Sequence, residues 1–255
     1  MLEARLRDAR AKKDVLLMTH IVVGYPSFEA SLQIVDAMVD AGVDLMELQI
    51  PFSEPMADGP VILAANQKAL AQGSTVERCF DFAATVTRRH RIPFLFMSYY
   101  NVLFHAGVLK FVDRMKAAGL SGAIVPDLPP EEAGEYLPAM ERAGLDPIFI
   151  FSPSTSEERM RSIASHGRGF IYCVARKGVT GSHTTFSADL DAYLLRCRAA
   201  TKLPLAVGFG VQDAADVEYL RGKADIAVVG SATLRLIDEK GVAAVDTFIR
   251  SLRRE

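Results

Sequence analysis

Cysteine is scarce: Cys79, Cys173 and Cys197 are the three among 255 residues, and no two stand in a C-x-x-C pair. An odd number without paired spacing speaks against a disulfide framework and points to a reducing cytoplasm. An excess of one charge is also missing, since 29 basic residues meet 31 acidic ones for a formal net charge of −2. That balance disfavours nucleic acid as the main partner, because backbone phosphates require a concentrated basic face. Long apolar runs are absent as well. Stretches such as Ile148-Phe149-Ile150-Phe151 fall far short of the ~20 residues of a membrane helix. The first residues, Met1-Leu2-Glu3-Ala4-Arg5-Leu6-Arg7, carry an early acid and no apolar core, which reads as a surface helix and not a targeting peptide.

Several chemistries lose support in the same way. His20, His90, His105, His166 and His183 show no i, i+4 or H-x-H ligand spacing and no accompanying carboxylate cluster, so no metal site is expected. There is no Walker motif, no G-x-S-x-G elbow and no G-x-G-x-x-G after a strand, which weighs against ATP-dependent transfer, serine hydrolysis and nicotinamide chemistry.

What is present is a chain 50% hydrophobic and 24% charged. At this length a globular protein buries roughly 70–75% of its unfolded surface and needs no staple. Eight short runs rich in branched residues recur: Leu16–Val23, Leu45–Ile50, Phe94–Ser98, Ala123–Val125, Pro147–Phe151, Phe170–Val174, Leu205–Val207 and Ile226–Val229. Amphipathic stretches such as Leu32, Val35, Met38 and Val39 separate them, with apolar side chains on one helical face. Eight βα units with no dividing linker predict an α/β fold, a single (β/α)₈ barrel domain over residues 1–255. A doubly wound open sheet is the competitor, and eight units favour closure. Pro129-Pro130-Glu131-Glu132 and Ser154-Thr155-Ser156-Glu157 read as helix starts, the first through proline and acids, the second as a capping box.

Either architecture places function just after the strands. In the second unit, alternation puts Leu45, Glu47 and Gln49 on one face and an all-apolar set on the other, which must meet helices. Glu47 then points into the barrel, where lost solvation raises a carboxyl pKa toward the range useful for proton exchange. The plainer alternative is a glutamate satisfied by an interior hydrogen bond or ion pair. Asp58 follows in a loop stiffened by Pro51, Pro55, Gly59 and Pro60. Alone it could cap the next helix; paired with Glu47 it offers two carboxylates on different sides of a substrate. The turns Gly178-Val179-Thr180-Gly181-Ser182, Gly208-Phe209-Gly210 and Gly230-Ser231 follow the last three strands, where barrels build phosphate sites from backbone N–H groups. Tyr172 shares a strand face with Phe170 and reads equally as a core tyrosine.

The segment Glu47-Leu48-Gln49-Ile50-Pro51-Phe52-Ser53-Glu54-Pro55-Met56-Ala57-Asp58-Gly59-Pro60 resembles the tryptophan synthase alpha chain family. The likeness extends through Gly24-Tyr25-Pro26-Ser27, Ser98-Tyr99-Tyr100-Asn101, Pro126-Asp127-Leu128-Pro129 and Gly178-Val179-Thr180-Gly181. The resemblance implies a (β/α)₈ barrel that cleaves indole-3-glycerol phosphate to indole and glyceraldehyde 3-phosphate by a retro-aldol step. It implies an α₂β₂ complex that passes indole to a beta chain carrying pyridoxal phosphate, with no cofactor in this chain. It makes Glu47 the general acid/base, Asp58 the partner of the indole N–H, and Tyr172 a support near the acid/base. Gly181, Gly210, Gly230 and Ser231 would hold the phosphate, and the loops containing Pro51, Glu54 and Thr180 would meet the beta chain. The absence of tryptophan accords with a chain that must be translated when tryptophan is short.

The sequence departs from the family pattern in places. Gln49 stands where the family usually has Gly, Glu54 where it has Asp, Met56 where it has Leu or Val, and His20 where many relatives have an apolar residue. Gln49 is expected to enter the indole pocket or to bond Glu47, and His20 to pack in the core. A free-standing lyase, another phosphate-binding barrel and a ligand-sensing subunit with little catalysis stay open as alternatives.

Overall fold

The structure, a computed structural model, describes residues 2–174, 188–208 and 210–253. Eight parallel strands close on themselves in sequence order: β1 (Leu16–Val22), β2 (Leu45–Gln49), β3 (Phe94–Met97), β4 (Gly122–Ile124), β5 (Asp146–Phe151), β6 (Ile171–Val174), β7 (Leu205–Gly208) and β8 (Ile226–Val229). Each predicted run contains a strand to within a residue or two. The open sheet is excluded because β8 pairs with β1, Thr19 opposite Val229.

Strand alternation divides the core into two layers. Outward residues such as Met46, Leu48, Ile50, Ile171 and Cys173 join the layer beneath the helices. Inward residues such as Met18, Leu45, Met97, Phe170, Ala206 and Val228 fill the barrel. Burial on both faces explains why the strands read as continuous apolar runs. The predicted assignment of Leu45, Glu47 and Gln49 to the inner face holds. Phe170 and Tyr172 likewise belong to the inner layer.

Three local readings are corrected. The helix Leu2–Arg10 does not simply lie on the surface: Leu2 and Leu6 are buried in the inner layer, and the Leu2 N–H donates to Asp146 Oδ2 at 3.0 Å. It plugs the amino-terminal end of the barrel, and burying each leucine contributes about 1.5–3 kcal/mol. Pro130–Glu132 forms only a 3₁₀ turn, and the α-helix starts later, at Tyr136. The N-cap of the helix Glu157–His166 is Ser156, whose hydroxyl accepts from the Arg159 N–H at 3.2 Å. Reciprocal capping occurs instead at Asp213 and Asp216. Cys79, Cys173 and Cys197 are buried free thiols, as the spacing predicts. Among the described residues, no helix is long and apolar enough to cross a membrane.

Candidate active site

With one end plugged, the barrel opens at the carboxyl ends of its strands into a cavity of about 400 Å³. Its walls include Glu47 from β2, Asp58 from the following loop, Tyr172 from β6, and Gly210, Gly230 and Ser231 beyond β7 and β8. Residues far apart in the chain meet there because barrel closure brings every strand end to one rim.

Glu47 lies opposite His20 in the β1–β2 ladder. Both point inward and are almost wholly buried, 4% and 3% exposed. The His20 Nδ1 donates to Glu47 Oε1 at 2.8 Å. The desolvation anticipated for Glu47 is thus met by an ion-pairing partner, the plainer of the two readings, while the carboxyl still faces the cavity. Burial by itself lowers the imidazolium pKa of His20; the hydrogen bond and charge of Glu47, with the charge of Asp58, outweigh it and hold the value above 6.5. His20 is therefore buried as expected, yet it lines the cavity instead of packing inertly.

Asp58 does not cap the next helix. The helix Pro60–Ala71 has Gly59 as N-cap, without a side-chain bond. The Gln49 amide donates to Asp58 Oδ2 at 2.6 Å. Gln49 therefore neither lines the cavity nor bonds Glu47; it is fully buried and serves the other carboxylate. Burial pushes the Asp58 pKa up, against the lowering effect of the Gln49 hydrogen bond and the His20 charge.

The loop that carries Asp58 is held from three directions. Phe52 stacks on Tyr99 with ring centroids 5.4 Å apart. The Phe52 N–H donates to Asn66 Oδ1 at 2.9 Å, and the Ala57 N–H donates to the Tyr99 hydroxyl at 3.0 Å. Pro51 is buried beneath the loop, whereas Glu54 is exposed and Met56 is 75% exposed. Asn66 lacked any motif of its own and Tyr99 stood only within the Ser98-Tyr99-Tyr100-Asn101 likeness, and their contacts reveal them as loop anchors.

Tyr172 reaches the cavity because β7 offers Gly208 beside it. A methyl on Gly208 would lie 2.2 Å from the Tyr172 hydroxyl. Gly208 is therefore a strand residue making room for a side chain, a correction to its reading as part of a phosphate turn. Gly210, beyond β7, lines the cavity with a φ of +112° that side chains avoid. Gly230 precedes the helix Ser231–Lys240, and Gly230 and Ser231, at the positive end of its dipole, line the same cavity. Thr180 and Gly181, with the rest of the Gly178–Ser182 turn, lie outside the described residues. Among the described residues, no group of three or more His, Cys, Asp or Glu is placed to hold a metal ion.

The cavity therefore combines two carboxylates, each with a buried polar partner, and a helix N-terminus suited to an anion. Comparison with known proteins agrees with the motifs. Residues 6–252 match the family described as tryptophan synthase alpha chain. The tryptophan synthase alpha chain of Syntrophotalea carbinolica is 65% identical over 99% of this chain and 100% of its own. That of Desulforapulum autotrophicum is 63% identical over 99% and 100%. Among solved structures, a chain of Mycobacterium tuberculosis tryptophan synthase superposes with a TM-score of 0.92 at 32% identity, covering 98% of this chain and 96% of that one. By fold, motifs and similarity over nearly its whole length, the chain belongs to the tryptophan synthase alpha chain family.

Proposed function

We propose that Glu47 and Asp58 divide the work of carbon–carbon cleavage in this chain, a lyase of the family that splits indole-3-glycerol phosphate into indole and glyceraldehyde 3-phosphate. The indole ring leaves only after its C3 carbon takes a proton and the resulting positive charge on nitrogen has an anion nearby. Glu47 delivers to C3 the proton of the His20–Glu47 pair, which leaves His20 neutral, and then takes one from the glycerol hydroxyl, so the pair ends in its starting state. Asp58 accepts the hydrogen bond of the indole N–H and offsets the charge of the indolenine. Tyr172 supports the substrate beside Glu47. Gly210, Gly230 and Ser231 hold the phosphate through backbone and hydroxyl donors, so that remote binding aligns the reacting bond.

The observation that carries this reading is the presence of Glu47 and Asp58 on one cavity whose wall also contains Gly230 and Ser231. The site requires no cofactor for this chemistry. A beta chain bearing pyridoxal phosphate receives the indole, with the Pro51–Asp58 loop and its exposed Glu54 and Met56 at the contact. The cytoplasm suits three unpaired thiols.

Indole release from indole-3-glycerol phosphate, measured for the chain alone and with a beta chain added, tests the reading. Slow release that rises strongly with the partner is expected, and Glu47→Gln should abolish it while leaving phosphate-ligand binding nearly intact. Rapid release without a partner would identify a free-standing lyase; unchanged turnover in Glu47→Gln would overturn the assignment of the acid/base.

A further inference from the structure

His20 and Glu47 stand opposite each other on β1 and β2, strands that run about 4.8 Å apart in such a sheet. The bond from Nδ1 to Oε1 is 2.8 Å long, between residues 3% and 4% exposed, so water competes little for it. The carboxyl therefore meets the cavity already oriented by a neighbour on the adjacent strand.

The same bond changes how a proton is held. Two sites that share one proton bind it more tightly than either does alone, because the pair's affinity for its first proton is the sum of the two members' affinities. The imidazole is the ordinarily stronger base, near pH 6.5 against about 4.3 for a glutamate. Burial of His20 lowers that value, but the hydrogen bond and charge of Glu47 and the charge of Asp58 outweigh it and hold the imidazolium above 6.5. Among the described residues lining the cavity, the other titratable groups are Asp58 and Tyr172. Burial pushes the Tyr172 hydroxyl well above 10, so it stays neutral across the working range, and protonation of Asp58 would act on the acid side of a pH profile. On the β8 side stands Gly230, whose missing methyl would lie 3.5 Å from His20 Cβ, and it adds no charge.

We propose that His20 is a positioning residue for the reaction, orienting the Glu47 carboxyl and storing the proton that the carboxyl hands to the substrate. This rests on the substrate reading above. One proton leaves Nδ1 for the carboxyl and then for carbon; the proton of the glycerol hydroxyl returns to the carboxyl and then to Nδ1. His20 needs no contact with substrate in this role, and it keeps the acid form of the pair populated to higher pH than a lone carboxyl allows.

Two variants separate orientation from proton storage. His20→Asn places an amide donor near the position of Nδ1 but yields no proton, and His20→Phe removes both. Indole release by the full chain is followed from pH 5.5 to 9, with folding checked by circular dichroism. His20→Phe should lower kcat about 10-fold or more near pH 6, the size of a lost hydrogen bond to a charged group, with KM nearly unchanged, and His20→Asn should recover most of that loss. In both variants the alkaline limb of kcat should move to lower pH, so the deficit of His20→Asn grows by about 10-fold for each pH unit between its limb and that of the wild type. Any other charge near the site is common to wild type and variants, so the difference between their profiles isolates His20. A His20→Asn limb that coincides with the wild-type limb would overturn proton storage, and equal kcat near pH 6 for His20→Phe and wild type would overturn orientation. A wild-type chain that releases no indole at any pH would instead overturn the substrate reading, and the proposed role with it. Titration of the His20 ring by NMR in the wild type and in Glu47→Gln tests the pair itself without turnover: the midpoint should fall in Glu47→Gln, and an unchanged midpoint would overturn the shared proton.

Discussion

Gln49 and Asp58 are joined by a hydrogen bond of 2.6 Å from the amide nitrogen to Oδ2, so a strand residue positions a loop carboxylate on the cavity that Glu47 also lines. Strand geometry makes this possible: Gln49 lies two residues beyond Glu47 on the same face, nearer the rim where the loop folds back. Gln49→Leu should lower kcat/KM for indole release about 10-fold, the usual size of a lost hydrogen bond to a charged group. Gln49→Glu should lower it further, because a second carboxylate against a desolvated one favours protonation of the pair. Steady-state indole release for the two variants checks the order, and equal activity of Gln49→Leu and wild type would show the bond to be without consequence.

Asp58 illustrates a conflict between stability and activity. Burial raises its pKa above 3.8, so the folded chain holds more protons than the unfolded chain between 3.8 and the raised value. Stability contributed by this group therefore falls as pH rises through that window, and the cost persists at neutral pH. Asp58→Asn keeps an acceptor for Gln49 and removes the charge. At pH 7 the variant should gain about 0.5–2 kcal/mol and lose nearly all indole release. Its gain should shrink as pH falls toward 3.8, which thermal melts along a pH series would reveal.

His20 has the opposite sign. Its folded pKa lies above 6.5 because Glu47 and Asp58 outweigh the effect of burial. Its stabilising contribution is thus complete below pH 6.5 and is lost as pH rises through the folded value. Chemical denaturation of the wild type should show a decline in stability across that range that His20→Phe lacks. Parallel curves for the two proteins would sink this account.

Gly208 is the residue whose smallness Tyr172 requires, with the phenol oxygen 2.2 Å from the place of a methyl. Gly208→Ala should displace Tyr172, costing about 1–3 kcal/mol as overpacking does and raising KM. Tyr172→Ala combined with Gly208→Ala should melt higher than the sum of the single changes predicts, since the clash is then gone. Additive melting temperatures would place the strain elsewhere.

Legibility in the sequence followed the range of the interaction. The strand runs, the inward direction of Glu47 and the stiff loop leading to Asp58 are local: alternation along β2 and the prolines around residues 51–60 express them directly. The motif around these residues identified the family. Gly208 was misread because a glycine that opens a turn and one that admits a neighbour's ring look alike without the neighbour. The Pro130–Glu132 segment was misread because proline and acids suit a 3₁₀ turn as well as the first turn of an α-helix.

Which residues would fill a barrel and which would face it was determined by the sequence itself, since a period of two in a strand leaves each side chain a single choice of face. The partners of the two cavity carboxylates were decided only by the tertiary structure. His20 meets Glu47 because β1 and β2 align at that register, and it meets Gly230 because β8 closes on β1. Leu2 and Leu6 become a plug for the same reason: an amphipathic helix becomes part of the core only when a barrel end stands open to receive it. Pairings of this kind arise from closure of the sheet, which sets distant strand ends side by side and which no local pattern of residues encodes.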